Sequence, residues 1–274
     1  MNAKPTLTFL MLAVSVPAVA DTVLVNTGNV DGRMAMASRP SSASKIEIEA
    51  ADDFIVTNSE AINSGTFTGL LPAGSTVKGI TVEIYRVFPK DSVNPPSGAV
   101  PTRVNSPSDV AFDSRATGSG LTFTTSVLNA NFTASNSVLN GISLMTGGDG
   151  AVSGQEVSFA LTFTSPFILP ADHYFFVPQV ELDNGNFYWL SSVRPIVAPG
   201  ISFAPDLQAW IRNANLDPNW LRVGTDIVGG NPAPTFNAAF SLSGIDVPEP
   251  ASLVLFTGGL LCCALLLRRK IAFR

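Results

Sequence analysis

The C-terminal segment 247–274 constrains this chain most, because it combines a long apolar stretch with a basic end. Ala251–Leu267 is an unbroken run without a charged side chain, and Arg268-Arg269-Lys270 follow it directly. A run of this length is near the lower limit for a helix that crosses the hydrocarbon core of a bilayer. The basic cluster is expected to stay on the cytoplasmic side. The sequence therefore predicts one transmembrane helix over about 251–267, with a basic tail 268–274 in the cytoplasm and the preceding chain outside it.

The N-terminal segment 1–20 has the features of a secretory signal peptide. Lys4 supplies a positive start, an apolar run follows over Leu7–Val16, and Ala18-Val19-Ala20 precede Asp21. Small residues at the third and first positions before the cut are what signal peptidase accepts, and Ala18 and Ala20 provide them. We therefore expect residues 1–20 to be removed by signal peptidase and the mature chain to begin at Asp21, beyond the inner membrane.

A short motif separates the apolar stretch from the rest of the chain. It reads Val247-Pro248-Glu249-Pro250, and its two prolines favour an extended conformation because each disfavours helix in the residue before it. An extended and exposed peptide is suited to a processing enzyme. The order of motif, apolar span with Gly258-Gly259 and basic end resembles the PEP-CTERM sorting signal, which is found in Gram-negative bacteria that make extracellular polysaccharide.

The resemblance covers residues 247–274 alone and implies recognition by exosortase, a membrane-embedded protease-transpeptidase. It implies that Pro248, Glu249 and Pro250 are the recognised motif, that 251–267 is a transient anchor, and that the basic cluster is a stop signal. The protein would then be released or transferred to the cell surface. An ordinary anchor that is never cut would have the same span and topology, so this alternative stays open. Cys262-Cys263 within the span depart from the pattern and are candidates for acylation.

The segment between these ends, 21–246, has the length of one extracytoplasmic domain. It contains no cysteine, which excludes a disulfide, a cysteine-zinc site and a cysteine nucleophile there. It holds 11 Lys and Arg against 20 Asp and Glu, a net charge of −9. This balance disfavours nucleic acid as a partner, because phosphate binding needs clustered basic side chains.

Alternating apolar residues predict strands through most of this domain. Val157, Phe159, Leu161 and Phe163 alternate with small polar or alanine residues, and 78–88 has the same pattern. Turn residues separate the strands, among them Asn184-Gly185, a strong hairpin signal. Short helices are expected only at 137–145 and 207–212. The pattern predicts an all-β fold, an antiparallel β-sandwich of jelly-roll type.

The domain offers few groups for catalysis. His173 is its one histidine, and the sequence has no serine-hydrolase, zinc-protease or phosphate-loop motif. Paired carboxylates could serve glycoside hydrolysis, which needs two at a set separation. The candidate pairs are Glu47 with Glu49, Asp52 with Asp53, and Glu181 with Asp183. Solvated strand faces and turns explain these pairs more simply, so we do not expect an enzyme.

Binding sites are the alternative to catalysis. Asp183, Asn184, Asn186 and Asp149 carry oxygens suitable for calcium, the one cofactor considered, although Asp and Asn also favour tight turns for conformational reasons. Trp210 and Trp220 lie among polar residues and could form a shallow sugar site. Tryptophans that close one end of the sandwich are the simpler interpretation.

The sequence thus predicts a non-catalytic surface or extracellular-matrix protein of a Gram-negative bacterium. Its expected partners are signal peptidase, exosortase, the inner membrane for a time, and extracellular polysaccharide such as a biofilm matrix. The alternatives are a carbohydrate- or calcium-binding β-sandwich module and a hydrolase that acts on polysaccharide.

Overall fold

The predicted alternation in residues 157–163 forms one of the longest strands of the protein. In the computed structural model, which describes residues 21–89, 101, 103–196, 207–247 and 259, Val157, Phe159, Leu161 and Phe163 are buried, whereas Ala160 and Thr162 between them are exposed. The regular structure of the described part of the chain is almost entirely β, so the all-β prediction is confirmed. The strands are β1 (Thr22–Asn26), β2 (Val30–Ala37), β3 (Ile48–Val56), β4 (Glu60–Leu71), β5 (Val77–Arg86), β6 (Asp113–Thr117), β7 (Gly120–Ala134), β8 (Asn136–Val138), β9 (Val152–Leu169), β10 (Asp172–Leu182), β11 (Tyr188–Ser192), β12 (Trp210–Asn213), β13 (Leu221–Arg222) and β14 (Phe240–Asp246).

These strands form one large mixed sheet. Its order is β13-β12-β3-β10-β5-β6-β7-β9-β4-β11-β2-β8, and β14 joins it by pairing with β4 on one side and β1 on the other. Most pairings are antiparallel, but β2–β8 and β6–β7 are parallel. The sheet, which the sequence predicted to be antiparallel, is therefore mixed. For β8 the cause is local: it follows β7 after Ser135, whose N–H donates to the Gly32 carbonyl at 2.8 Å and so places β8 beside β2.

The core lies between two parts of this sheet that face each other. Phe176 of β10 packs against Phe67 of β4 at 6.5 Å between ring centroids, against Trp189 of β11 at 5.9 Å and against Phe240 of β14 at 5.4 Å. Strand β10 forms no backbone ladder with these three strands, so the contacts pass across the interior. Burial of such large aromatic side chains dominates the hydrophobic stabilisation of a fold.

The two short helices expected at 137–145 and 207–212 are wrong. The first region contributes β8 and the second contributes β12, which pairs with β3 from Trp210↔Ala51 to Asn213↔Ile48. Pairing with a strand from the early part of the chain overrides the weak local preference for helix. The helix among the described residues of the domain is instead a single π-helical turn at Val223–Val228.

Candidate functional site

The C-terminal strand, which leads into the predicted sorting motif, is built into the interior of the sheet. Phe240 and Leu242 of β14 are buried in the main core. On one side β14 pairs with β4 from Phe240↔Phe67 to Asp246↔Glu60, and on the other it pairs with β1. Strand β14 is therefore fixed by ladders on both edges as well as by its side chains.

The described part of the domain ends at Val247, the first residue of the sorting motif. The N–H of Val247 donates to the Ser59 carbonyl at 2.8 Å, so backbone bonding continues up to the residue before Pro248. The remaining predicted sorting residues, Pro248, Glu249, Pro250, Arg268, Arg269 and Lys270, lie outside the described residues. Among the residues that are described, no helix has the length and apolar character that a membrane crossing requires. The motif thus follows the domain without an intervening linker.

The predicted start of the mature chain lies beside the C-terminal end of β14. Thr22 of β1 pairs with Gly244 of β14, close to the end of that strand. Asp21, the residue expected after the signal-peptide cut, is exposed and accepts a hydrogen bond from Asn63 Nδ2 at 2.7 Å. Ala18 and Ala20 lie outside the described residues. Both predicted membrane-directed ends therefore leave the domain at one end of the β1–β14–β4 ladder.

Two carboxyl groups face each other at this exit. Asp246, at the end of β14, is paired in register with Glu60 at the start of β4. Glu60 is only 5% exposed, and its pKa is raised by burial, by a hydrogen bond with Asp246 and by the charge of Asp246. The pair is held best when one of the two carboxyls is protonated.

The tryptophans predicted as a sugar site are buried. Trp210 is 2% exposed and Trp220 is 0% exposed, so neither offers a ring face to a ligand, and the sugar platform expected on these rings is not formed. Trp220 packs edge-on against Tyr85 at 5.5 Å, and the Arg212 guanidinium lies 4.4 Å from its ring centroid. These rings close one part of the domain around a buried cation.

That cation belongs to a buried polar network. Arg212 Nε donates to Glu49 Oε2, and Arg212 Nη2 donates to the Tyr85 hydroxyl at 2.8 Å. The Tyr85 hydroxyl in turn donates towards Glu49 Oε1 at 2.9 Å. Burial raises the pKa of Glu49 and of Tyr85. The network pairs the groups that it buries with one another, which makes it a structural element.

The residues considered for catalysis also hold neighbouring segments in place. His173 Nε2 lies 2.6 Å from Asp53 Oδ2, and Asp53 Oδ1 accepts the Leu207 N–H at 2.9 Å. Asp52 Oδ2 accepts the Ala238 N–H at 2.7 Å. Glu47 Oε1 accepts a bond from Gln179 Nε2 at 2.8 Å. The neighbouring carboxylates Asp52 and Asp53 thus bind the backbone of two different segments of the chain.

The oxygens considered for calcium are engaged in turn structure. Asp183 accepts the Thr76 N–H at 2.9 Å and the Thr76 hydroxyl at 2.6 Å, and these bonds lower its pKa. Asn186 Oδ1 accepts from Arg39 Nη1 at 2.8 Å, and the Asn184 carbonyl accepts from Ser75 at 3.0 Å. Asp149 Oδ2 accepts the N–H groups of 139 and 140. Within the described ranges, no three His, Cys, Asp or Glu side chains come together in a group suited to a metal ion.

One surface feature was not predicted from the sequence. A groove of about 390 Å³ crosses the outer face of β4, β9 and β14, and Glu156 lines it. The sequence signal is the alternation of hydroxyl residues with core residues, as in Thr66-Phe67-Thr68. This signal shows that the face is polar, but it does not show that the face is concave.

The comparisons with known proteins concern the tail. Residues 246–270 match the family described as the PEP-CTERM protein-sorting motif, which confirms the resemblance drawn from the residues that follow β14. No curated protein and no solved structure matches the chain. The chain therefore carries a match to the PEP-CTERM protein-sorting motif that begins at the end of its last strand, and this match supports sorting by exosortase.

Proposed function

We propose that this protein is a non-catalytic component of the cell surface or extracellular matrix, delivered by a cleaved signal peptide, cut at its tail by exosortase and associated with secreted polysaccharide. The domain 21–246, which we infer to be a sandwich of jelly-roll type, is the part that remains outside the cell. The membrane helix at 251–267 serves only during sorting.

The observation that carries this proposal is the way the sorting motif joins the domain. Strand β14 is held by ladders to β1 and β4, and Val247 is still bonded to Ser59 when Pro248 begins. A cut within or after Pro248-Glu249-Pro250 would leave all these contacts intact. The domain is therefore suited to keep its fold after losing its anchor.

The surroundings of the histidine and the carboxylates support a non-catalytic role. Asp52, Asp53 and Glu49 each bind a backbone N–H or a buried arginine, and His173 is buried against Asp53. A glycosidase needs two carboxyl groups that face a substrate across a set gap. The contacts of these side chains serve packing instead.

Mass spectrometry of the protein from the surface fraction of its native host tests the sorting part. We expect an N-terminus at Asp21 and loss of the residues that follow roughly position 250, because signal peptidase and exosortase both act. Substitution of Glu249 by Ala should leave the tail uncut, whereas Glu181→Gln, a change on the surface of the domain, should not affect the cut. A wild-type surface protein that still ends at Arg274 would show a permanent anchor.

The association with polysaccharide is tested in the same host. The wild-type protein should co-fractionate with the secreted polysaccharide and should leave that fraction when the polysaccharide is digested by a glycosidase. Release of sugars or cleavage of an ester by the purified protein would contradict the non-catalytic role.

A further inference from the structure

We infer that the groove on the outer face of β4, β9 and β14 binds a strand of neutral polysaccharide, and that Glu156 accepts hydrogen bonds from its hydroxyl groups. This inference rests on the proposed association with secreted polysaccharide and assigns it to one place on the domain.

The floor of the groove is made by side chains that alternate with the core. Thr66 and Thr68 of β4 point outwards on either side of the buried Phe67, and Ser158 of β9 precedes the buried Phe159. In register, Thr68 lies opposite Ser158, and Thr66 lies opposite Ser241 of β14. The result is a patch of hydroxyl groups over three adjacent strands.

The groove is elongated across the strands. Its lining extends from Leu128 of β7, through β9 and β4, to β14 and to Asn26 at the end of β1. Neighbouring strands lie about 4.8 Å apart, so the path from β7 to β14 covers about 14 Å. A cleft of this length suits an extended oligomer better than it suits a single small molecule.

Glu156 presents its carboxyl to the groove. The residue as a whole is 9% exposed, but its carboxyl oxygens are not among the buried side-chain atoms that lack a partner, so they are open to whatever occupies the groove. Partial burial raises the pKa of this carboxyl. A carboxyl in this position can accept hydrogen bonds from a ligand that carries donors.

The lining selects the class of ligand. Of the described residues that line the groove, Glu156 alone is charged, which disfavours phosphates, nucleic acids and acidic polysaccharides. The remaining lining is mostly hydroxyl and amide groups, with Asn26 and Asn29 at one end, which disfavours lipids. Hydroxyl and amide groups both donate and accept, as the hydroxyls of a sugar do. The exposed Leu128 adds an apolar rim on which the C–H face of a sugar ring can rest.

Affinity electrophoresis of the full-length chain in non-ionic detergent tests the inference. Native gels would contain dextran, galactomannan or xyloglucan as neutral probes, and alginate as an acidic probe. We expect at least one neutral polysaccharide to retard the wild-type protein, and alginate to leave its mobility unchanged. Glu156→Gln should raise the Kd about tenfold, because the amide keeps one acceptor oxygen but loses the other and the charge that strengthens its hydrogen bonds. Thr68→Val should raise it a few-fold.

Thr162→Val is the matched control. Thr162 lies on β9, on the same exposed face as Ser158, but it does not line the groove, so this variant should bind as the wild type does. Thr68→Val changes no buried charge and decides the question if Glu156→Gln fails to fold. Any one of three results would overturn the inference: no retardation of the wild type by the three neutral probes, retardation by alginate alone, or unchanged binding by the folded groove variants.

The failure of this inference can be told apart from the failure of the proposed function. A wild-type protein that co-fractionates with polysaccharide in the host, while the folded Glu156→Gln and Thr68→Val variants bind the probes in the gels as tightly as the wild type does, overturns the assignment of the groove and leaves the association intact. A wild-type protein that is absent from the polysaccharide fraction overturns the association, whatever the gels show.

Discussion

Replacing Arg212 by Met tests how strongly the buried network holds the domain together. The side chains of Arg212 and Glu49 are only 6% and 5% exposed, and Arg212 Nε donates to Glu49 Oε2. Methionine keeps much of the apolar stem but leaves the Glu49 carboxyl buried without its cation. Breaking a buried ion pair from one side costs about 3–5 kcal/mol. For a domain of this size, that loss lowers the Tm by roughly 6–20 °C.

Urea unfolding of the domain 21–247, followed by tryptophan fluorescence, measures this cost. Trp220 lies 4.4 Å from the Arg212 guanidinium and reports on the network directly. Glu49→Gln and the double variant complete a mutant cycle. The double variant should lose less stability than the two single variants together, because no buried charge is left unpaired; the Asp217 carboxylate that also pairs with Arg212 is 57% exposed and is solvated by water. Arg86→Met is the exposed control: Arg86 lies 3.5 Å from Asp172, both side chains are over 40% exposed, and the loss should stay below about 1 kcal/mol. If the free energy of unfolding of the Arg212→Met domain lay within about 1 kcal/mol of the wild-type value, the reasoning would be refuted.

Three further predictions concern the strand exit and the core. Glu60→Gln should raise the free energy of unfolding at pH 7 by about 0.2–1 kcal/mol, because it removes a like-charge pair with Asp246. The raised pKa of Glu60 means that the folded state binds the proton more tightly, so wild-type stability falls as pH rises from about 4.5 through that pKa. Urea titrations at pH 4 and pH 7 should show the gain in stability of Glu60→Gln mainly at pH 7. An equal gain at both pH values would contradict the predicted direction of the pH dependence. Thr27→Val should lower the free energy of unfolding by about 1–3 kcal/mol. The Thr27 hydroxyl accepts the Phe240 N–H at 2.8 Å and donates to the Phe240 carbonyl at 3.0 Å, and these bonds fix the start of β14. The denaturant midpoints of this variant and of Thr162→Val, its control, measure the loss. Gly69→Ala should lower the free energy of unfolding by about 1–3 kcal/mol through overpacking, since a Cβ there would lie 2.0 Å from Phe187 Cε2. Thermal unfolding measures this loss, with Gly79→Ala as the control, because the atoms of Thr117 nearest to a Cβ at Gly79 would lie 4.0 Å away.

The features that the sequence predicted correctly are those that short segments determine. Strand β9 alternates with period two, so its burial follows from residues a few positions apart. The sorting motif likewise consists of consecutive residues, from Val247 to Lys270. Both could be recognised without knowing which segments meet in the fold.

The features that the sequence left open or predicted wrongly depend on partners far away in the chain. Trp210 and Trp220 have polar neighbours in sequence, which left a sugar site open as an alternative to burial; they are buried because β12 pairs with β3 and encloses them with Tyr85. The parallel β2–β8 pairing joins segments with five other strands between them in the chain. The groove requires β4, β9 and β14 to lie side by side, which the hydroxyl pattern of one strand cannot reveal.

The pairing of β1 with β14 has a consequence for the order of events during secretion. An exported chain leaves the cell with its amino end first, so β1 emerges long before the strand it pairs with. Contacts between such distant segments form late in folding. If the chain is sorted as proposed, the domain can complete its sheet only when almost the whole polypeptide has crossed the membrane, at the stage when the predicted apolar tail would stop in the bilayer. Completion of the fold and arrival of the sorting motif at the protease would then coincide, and a molecule that is cut would have all the strands of the domain on the outer side.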